Sequence, residues 1–350
     1  MVNQSEHSSY ASFPVFKAID PNRKSWLDRF LNIFADVRGG EGVGALLLFL
    51  NALTLMSGYY LLKTVRKPLI LALGGAIAEN KAVAGQAVFL LFIIPLYGWL
   101  ATKFKRTHLL AGVSVFFALN LLLFYLSGSA GLKVGVVFYI WVGIFSVFVV
   151  SQFWAFANDI YTEPQGKRLF AFIAVGGSAG AVFGSHFSGV LTGRIGILPQ
   201  MLIAAVCLLL TIPLMFLADR REARRGGEQQ KIASQRPLGA GDGFALILKD
   251  RYLLLIALVM IVLNVVNTSG ELLLSRFVTG QAELAAGAGP GAEEAKARFI
   301  GAFYGNFFSL VNLVSFLLQT FVVSRLFRFA GVRGADRKST RLNSSHDQIS

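Results

Sequence analysis

Residues 218–251 read ADRREARRGGEQQKIASQRPLGAGDGFALILKDR, and this stretch decides the fold. It is polar, strongly basic and glycine-containing, and it interrupts a chain that is otherwise apolar. Before it lie six mostly apolar windows, roughly 43–62, 83–101, 108–127, 134–157, 169–191 and 197–217. After it lie two more, roughly 252–274 and 299–323. A helix needs about twenty apolar residues to cross the hydrocarbon core of a bilayer. The pattern therefore predicts an all-α, polytopic membrane protein with six spans, a linker and two further spans.

Composition supports that reading. Of 350 residues, 55% are hydrophobic and only 15% charged, against about a quarter in soluble domains. Mean hydropathy is +0.60. One cysteine, Cys207, excludes a disulfide framework and a cysteine zinc cluster. A formal charge of +14 would point to nucleic acid in a soluble chain, but here the cations lie between apolar windows, and no nucleic-acid partner is expected. With the N-terminus inside, the inner segments hold 21 Lys and Arg against 9 in the outer ones, which predicts a cytoplasmic N-terminus in a bacterial inner membrane.

Residues 1–42 form a cytoplasmic segment without a cleavable signal peptide. Within it, 24–37 (KSWLDRFLNIFADV) places Trp26, Phe30, Ile33 and Phe34 on one face, as either an interfacial helix or an ordinary surface helix would. Residues 336–350 (DRKSTRLNSSHDQIS) match the in-frame translation of a sequencing-adapter string and are read as a non-native tail.

Six spans, a cytoplasmic linker and more spans is the layout of the major facilitator superfamily, whose two six-span halves rock about a central site. The segment Gly98-Trp99-Leu100-Ala101-Thr102-Lys103-Phe104-Lys105-Arg106 resembles that superfamily's G-x-L-A-D-R-x-G-R signature, with Thr102 and Lys105 as departures. The basic segment Ser324 to Arg333 resembles its counterpart after span eight. On this resemblance the bundle is expected to be truncated after about eight of twelve spans, with 43–217 as its first half, 218–251 as linker and 252–335 as an incomplete second half.

No catalytic motif is present. The only Gly-Lys pair near a phosphate-loop pattern, Gly166-Lys167, has Tyr161 where the first glycine belongs and Arg168 where Ser or Thr belongs. His7, His108, His186 and His346 lack metal spacing, and no cofactor is implied. His186 in span five reads as a proton relay or as a packing residue. Gly176, Gly180, Gly184 and Ser188 recur every four residues, the spacing that lets two helices approach closely.

Intramembrane charges carry the functional signal, because such groups usually face a cavity or a partner. Lys63, Arg66 and Lys67 share a helical face at the end of span one, inside an outer segment read as 63–82. They serve either as snorkelling cations or as a clamp for phosphate. In span seven, Asn264, Asn267 and Glu271 share a face expected to line a cavity. The basic cluster and Glu271 are expected to meet as an ion-pair gate that an anionic substrate opens, so that reversing both charges restores what either single reversal removes.

Span four reads Ser151-Gln152-Phe153-Trp154-Ala155-Phe156-Ala157-Asn158-Asp159, followed by Lys167-Arg168-Leu169-Phe170. With Val37-Arg38-Gly39-Gly40-Glu41, the stretch YYLLKTVRKPLIL and Asn267-Thr268-Ser269-Gly270-Glu271, this pattern resembles the ATP:ADP antiporter family from about residue 25 to 335. The resemblance implies nucleotide exchange without hydrolysis, with Arg66 at the essential cation of span one and Glu271 at the acidic residue of span seven. Around Val142, where that family carries another acidic residue, this chain is apolar. Trp154, Phe153 and Tyr60 offer rings for a base and Asn158 an amide for its edge, although packing and helix capping are the commoner uses of such residues. The expected partners are a nucleotide or other phosphorylated small molecule and the lipid bilayer. Proton-coupled carriage of a non-nucleotide anion and a non-transporting sensor or scaffold are the alternatives.

Overall fold

A computed structural model describes residues 25–323 apart from 34, 104–105, 226–249, 288 and 290. Most of the linker, Phe34, the basic segment 324–335 and the tail 336–350 thus lie outside the described residues. All described elements are helical. They are α1 (Trp26–Leu31), a bent α2 (Gly42–Lys103), α3 (Arg106–Ser129), α4 (Gly135–Ile160), α5 (Glu163–Arg194), α6 (Gln200–Arg225), α7 (Arg251–Ala286) and α8 (Ala292–Leu317). A π-helical turn, Leu318–Val323, follows α8. Eight segments are long and apolar enough to cross a membrane, with α2 supplying two as the arms α2a (Gly42–Ala72) and α2b (Gly74–Tyr97).

Local chemistry sets several helix starts. Thr162 and Gln165 form a capping box at α5, and Pro164 fits its first turn because the missing N–H would have had no helical partner there. Asp250 accepts hydrogen bonds from the backbone of Tyr252 and Leu253 and caps α7. Between α2a and α2b the helical path breaks at Gly75, whose φ of 60° and ψ of −167° suit glycine alone. The path turns there so that Glu79 of the second arm meets Lys67 of the first.

This break corrects the expected outer segment. Residues 63–82 are not a loop: α2a continues through Lys63, Arg66, Lys67 and Pro68 to Ala72, and α2b resumes at Gly74. Three cations and a proline lower the hydropathy of the stretch, but tertiary partners neutralise the charge and the helix persists. Likewise α6 runs eight residues into the expected linker, to Arg225, with Ala218 and Glu222 buried.

Helix α2 is the hub, packed on α4, α5, α6 and α8. Its tightest contact is with α5. A methyl group on Gly176, Gly180 or Gly184 would collide with the backbone carbonyls of Phe49, Leu53 and Ser57 respectively. The four-residue glycine repeat therefore admits α2a to within backbone distance. Ser188, the fourth member, instead donates to Gln200 Oε1 at 2.6 Å. Leu48, Leu62, Phe138, Phe145 and Ile173 fill the main core, and a second cluster gathers Ile70, Leu71, Tyr139, Ile300 and Tyr304 where α2, α4, α7 and α8 converge.

Beyond that cluster α7 stands apart. Residues 251–270 are exposed apart from the half-buried Leu253 and Ala257, Asn264 and Asn267 included. On α1, Trp26 and Phe30 stack at 6.0 Å and turn outward with Ile33, while Leu31 and Val37 are buried. Of the stripe read from sequence, Trp26 and Phe30 lie on α1, Ile33 follows it and Phe34 is outside the described residues.

Candidate functional site

The end of α2a carries Lys63, Arg66 and Lys67 into protein, not outward. Lys67 is fully buried and Arg66 is 8% exposed. Because burial of an ammonium is unfavourable without a counter-charge, its surroundings matter: Lys67 Nζ lies 2.5 Å from Glu79 Oε1 on α2b and 3.4 Å from Glu271 Oε2 on α7. Tyr139 on α4 donates to the same Glu79 Oε1 at 3.0 Å, while Glu79 Oε2 has no hydrogen-bond partner among the described residues.

Aromatic rings complete the cluster. The Arg66 guanidinium carbon sits 4.5 Å from the Tyr139 ring centroid, and the buried Arg66 Nε has no hydrogen-bond partner. Lys63 Nζ lies over Phe308 at 4.7 Å and Tyr60 at 5.3 Å, and Lys67 Nζ over Tyr304 at 5.1 Å. The Tyr304 hydroxyl is 3.0 Å from Ser275 Oγ, which ties α8 to α7. Such rings favour cations through their quadrupole and exclude water. In formal charge, three cations face two carboxylates, so one positive charge is left over.

Of the residues expected to bind substrate, Lys63, Arg66, Lys67 and Glu271 come together, with Lys67 making the contact to Glu271. Three do not. Asn267 is exposed on the free part of α7, one turn before the helix enters the cluster. Trp154 lies fifteen residues beyond Tyr139 on α4, roughly 22 Å along the axis, and Asn158 is exposed still further on.

The side chains around Trp154 pack against one another and on α5. Phe153 and Phe156 are buried, and Trp154 meets Phe170 of α5 edge-on at 5.8 Å. Beside them Arg168 grips Glu41 with both terminal nitrogens at 2.9 Å, a fork geometry that suits carboxylates. Although burial alone would raise the Glu41 pKa, hydrogen bonds from Arg168 and the Arg38 amide hold it below the ordinary value. Two stretches quoted for the family resemblance thus meet in a clasp at the end of the bundle opposite Lys67.

Sequence reasoning missed Glu79, Tyr139, Tyr304 and Phe308. A lone glutamate twelve residues past Lys67, across a Gly-Gly pair, was the available signal for Glu79. His186 is exposed beside Phe187 and takes no part in the cluster.

A family model described as Major Facilitator Superfamily matches residues 45–335. The chain belongs to the major facilitator superfamily. It is accordingly a multi-pass membrane transporter of the major facilitator type. No curated protein and no solved structure matches. The charged cluster joins helices that precede the basic linker, α2 and α4, to helices that follow it, α7 and α8.

Proposed function

We propose that this transporter exchanges phosphorylated organic anions, nucleotides of the ATP and ADP type among them, by alternating access across a bacterial cytoplasmic membrane. One observation carries the reading: Lys63, Arg66 and Lys67 converge within the helix bundle and outnumber the carboxylates Glu79 and Glu271. Arginine and lysine bind phosphate oxygens by charge-assisted hydrogen bonds, arginine often with two at once. The excess charge is available to an anion, and the surrounding rings keep the cations desolvated so that the attraction is weakly screened. The span-four pattern and the stretches around Glu41 and Arg168 resemble the nucleotide translocases in sequence. The distribution of basic residues supports a cytoplasmic N-terminus.

The test is counterflow of labelled ATP, ADP and phosphate in proteoliposomes holding the protein. Uptake that requires internal nucleotide, and that Arg66→Ala reduces by roughly tenfold or more through loss of a charged hydrogen bond, is the expected result. Uptake driven by a pH gradient without internal nucleotide overturns exchange in favour of proton-coupled anion carriage. Nucleotide binding without flux points to a sensor.

A further inference from the structure

We propose that Glu79 is a fixed counter-anion that cancels Lys67 within the first half, leaving Lys63 and Arg66 to the substrate and thereby setting the substrate charge the site prefers. This rests on the reading above that a phosphorylated anion binds here.

Two features of the geometry support it. Glu79 is the nearer carboxylate, at 2.5 Å from Lys67 Nζ against 3.4 Å for Glu271. Its three-residue unit with Lys67 and Tyr139 lies wholly on α2a, α2b and α4, all within the first six spans. Glu271 lies on α7, across the boundary between halves. When the halves rock, the Lys67 to Glu271 contact must change, whereas the Lys67, Glu79 and Tyr139 unit can travel intact. Lys67 is therefore never stranded as a lone buried charge. The cations without a carboxylate of their own are Lys63, held between Phe308 and Tyr60, and Arg66, over Tyr139. With Glu271 opposite, the net positive charge offered is one unit. Neutralising Glu79 would make it two.

The experiment measures equilibrium binding of AMP, ADP and ATP to the purified protein, a series in which the base is constant and only the phosphate charge grows. In Glu79→Gln the preference for ATP over AMP should rise by roughly fivefold or more, since each added phosphate charge meets one more positive charge. Glu79→Asp, which keeps the charge, should retain the preference of the unmodified protein. The pair Lys67→Met with Glu79→Met removes both charges together and should likewise retain it. This pair carries the test if Glu79→Gln does not fold, because replacing a buried ion pair by apolar groups is better tolerated than breaking it. Normal binding with an unchanged preference in Glu79→Gln, or a preference shifted in the Met pair, overturns the assignment of Glu79 alone. Failure of the unmodified protein to bind any of the three overturns the phosphate reading, and this inference with it.

Discussion

Lys67 and Lys63 stand one helical turn apart and have opposite dependence on their neighbours. Removing Lys67 leaves the Glu79 carboxylate, 6% exposed, with only the Tyr139 hydroxyl. Breaking a buried pair in this way costs about 3–5 kcal/mol, whereas Lys63 contributes on the order of 0.5–2 kcal/mol through its rings. Lys67→Ala should thus melt well below Lys63→Ala when unfolding is followed by tryptophan fluorescence, and equal melting would refute the difference. The same geometry revises an expectation from sequence. Reversing Lys67 and Glu271 together would place a carboxylate at residue 67 against Glu79, so that double reversal should not restore function. The cations and Glu271 were legible because charges inside apolar windows stand out. Glu79 was not, because the window that held it looked like a loop, and only the fold shows that its charge and that of Lys67 cancel.

Among elements, the α2a and α5 pair was the most legible, since a glycine every fourth residue has one strong physical use. Gly180→Ala should destabilise the protein by roughly 1–3 kcal/mol, because the added methyl meets the Leu53 backbone, which cannot rotate away. Gly193→Ala, with open space at its Cβ, should have little effect in the same melting assay. The N-terminal clasp was legible only as two separate motifs. Asp28 accepts the amides of Gly40 and Gly42 at 2.9 and 2.8 Å. Burial pushes the Asp28 pKa up, but these bonds and those from Ser25 outweigh it and hold the value below the ordinary 3.8, as the Arg168 fork does for Glu41 relative to 4.5. A depressed carboxylate stabilises the folded form in full above its ordinary pKa and loses that contribution as pH falls through the folded value. Amide exchange at Gly40 and Gly42, corrected for its intrinsic pH dependence, should stay slow at neutral pH and accelerate only below the ordinary aspartate range. Exchange independent of pH there would remove Asp28 from the role. Trp154 and Asn158 lie toward the other end of α4 from Tyr139, a separation that a linear motif does not record.

At the scale of the molecule, α5, which precedes the basic linker, packs extensively on α8, which follows it. Asn312 lies 3.4 Å from Ser185 Oγ, and Gly189 and Gly305 bring the two backbones together. Alternating access requires this contact to shift. With Cys207 replaced by Ser, Ser185→Cys with Asn312→Cys bridged by a short, reducible bifunctional thiol reagent should stop transport, and reduction should restore it. Exchange that persists in the bridged protein would mean that the halves move without parting here. The hairpin at Gly75 has a consequence for biosynthesis. A lone ion entering hydrocarbon from the translocon costs about 2.5–3.5 kcal/mol. The turn lets the two arms of α2 leave the ribosome and enter lipid as one unit, with ammonium and carboxylate already mated. Lengthening or stiffening that turn should therefore penalise membrane insertion before any substrate is met.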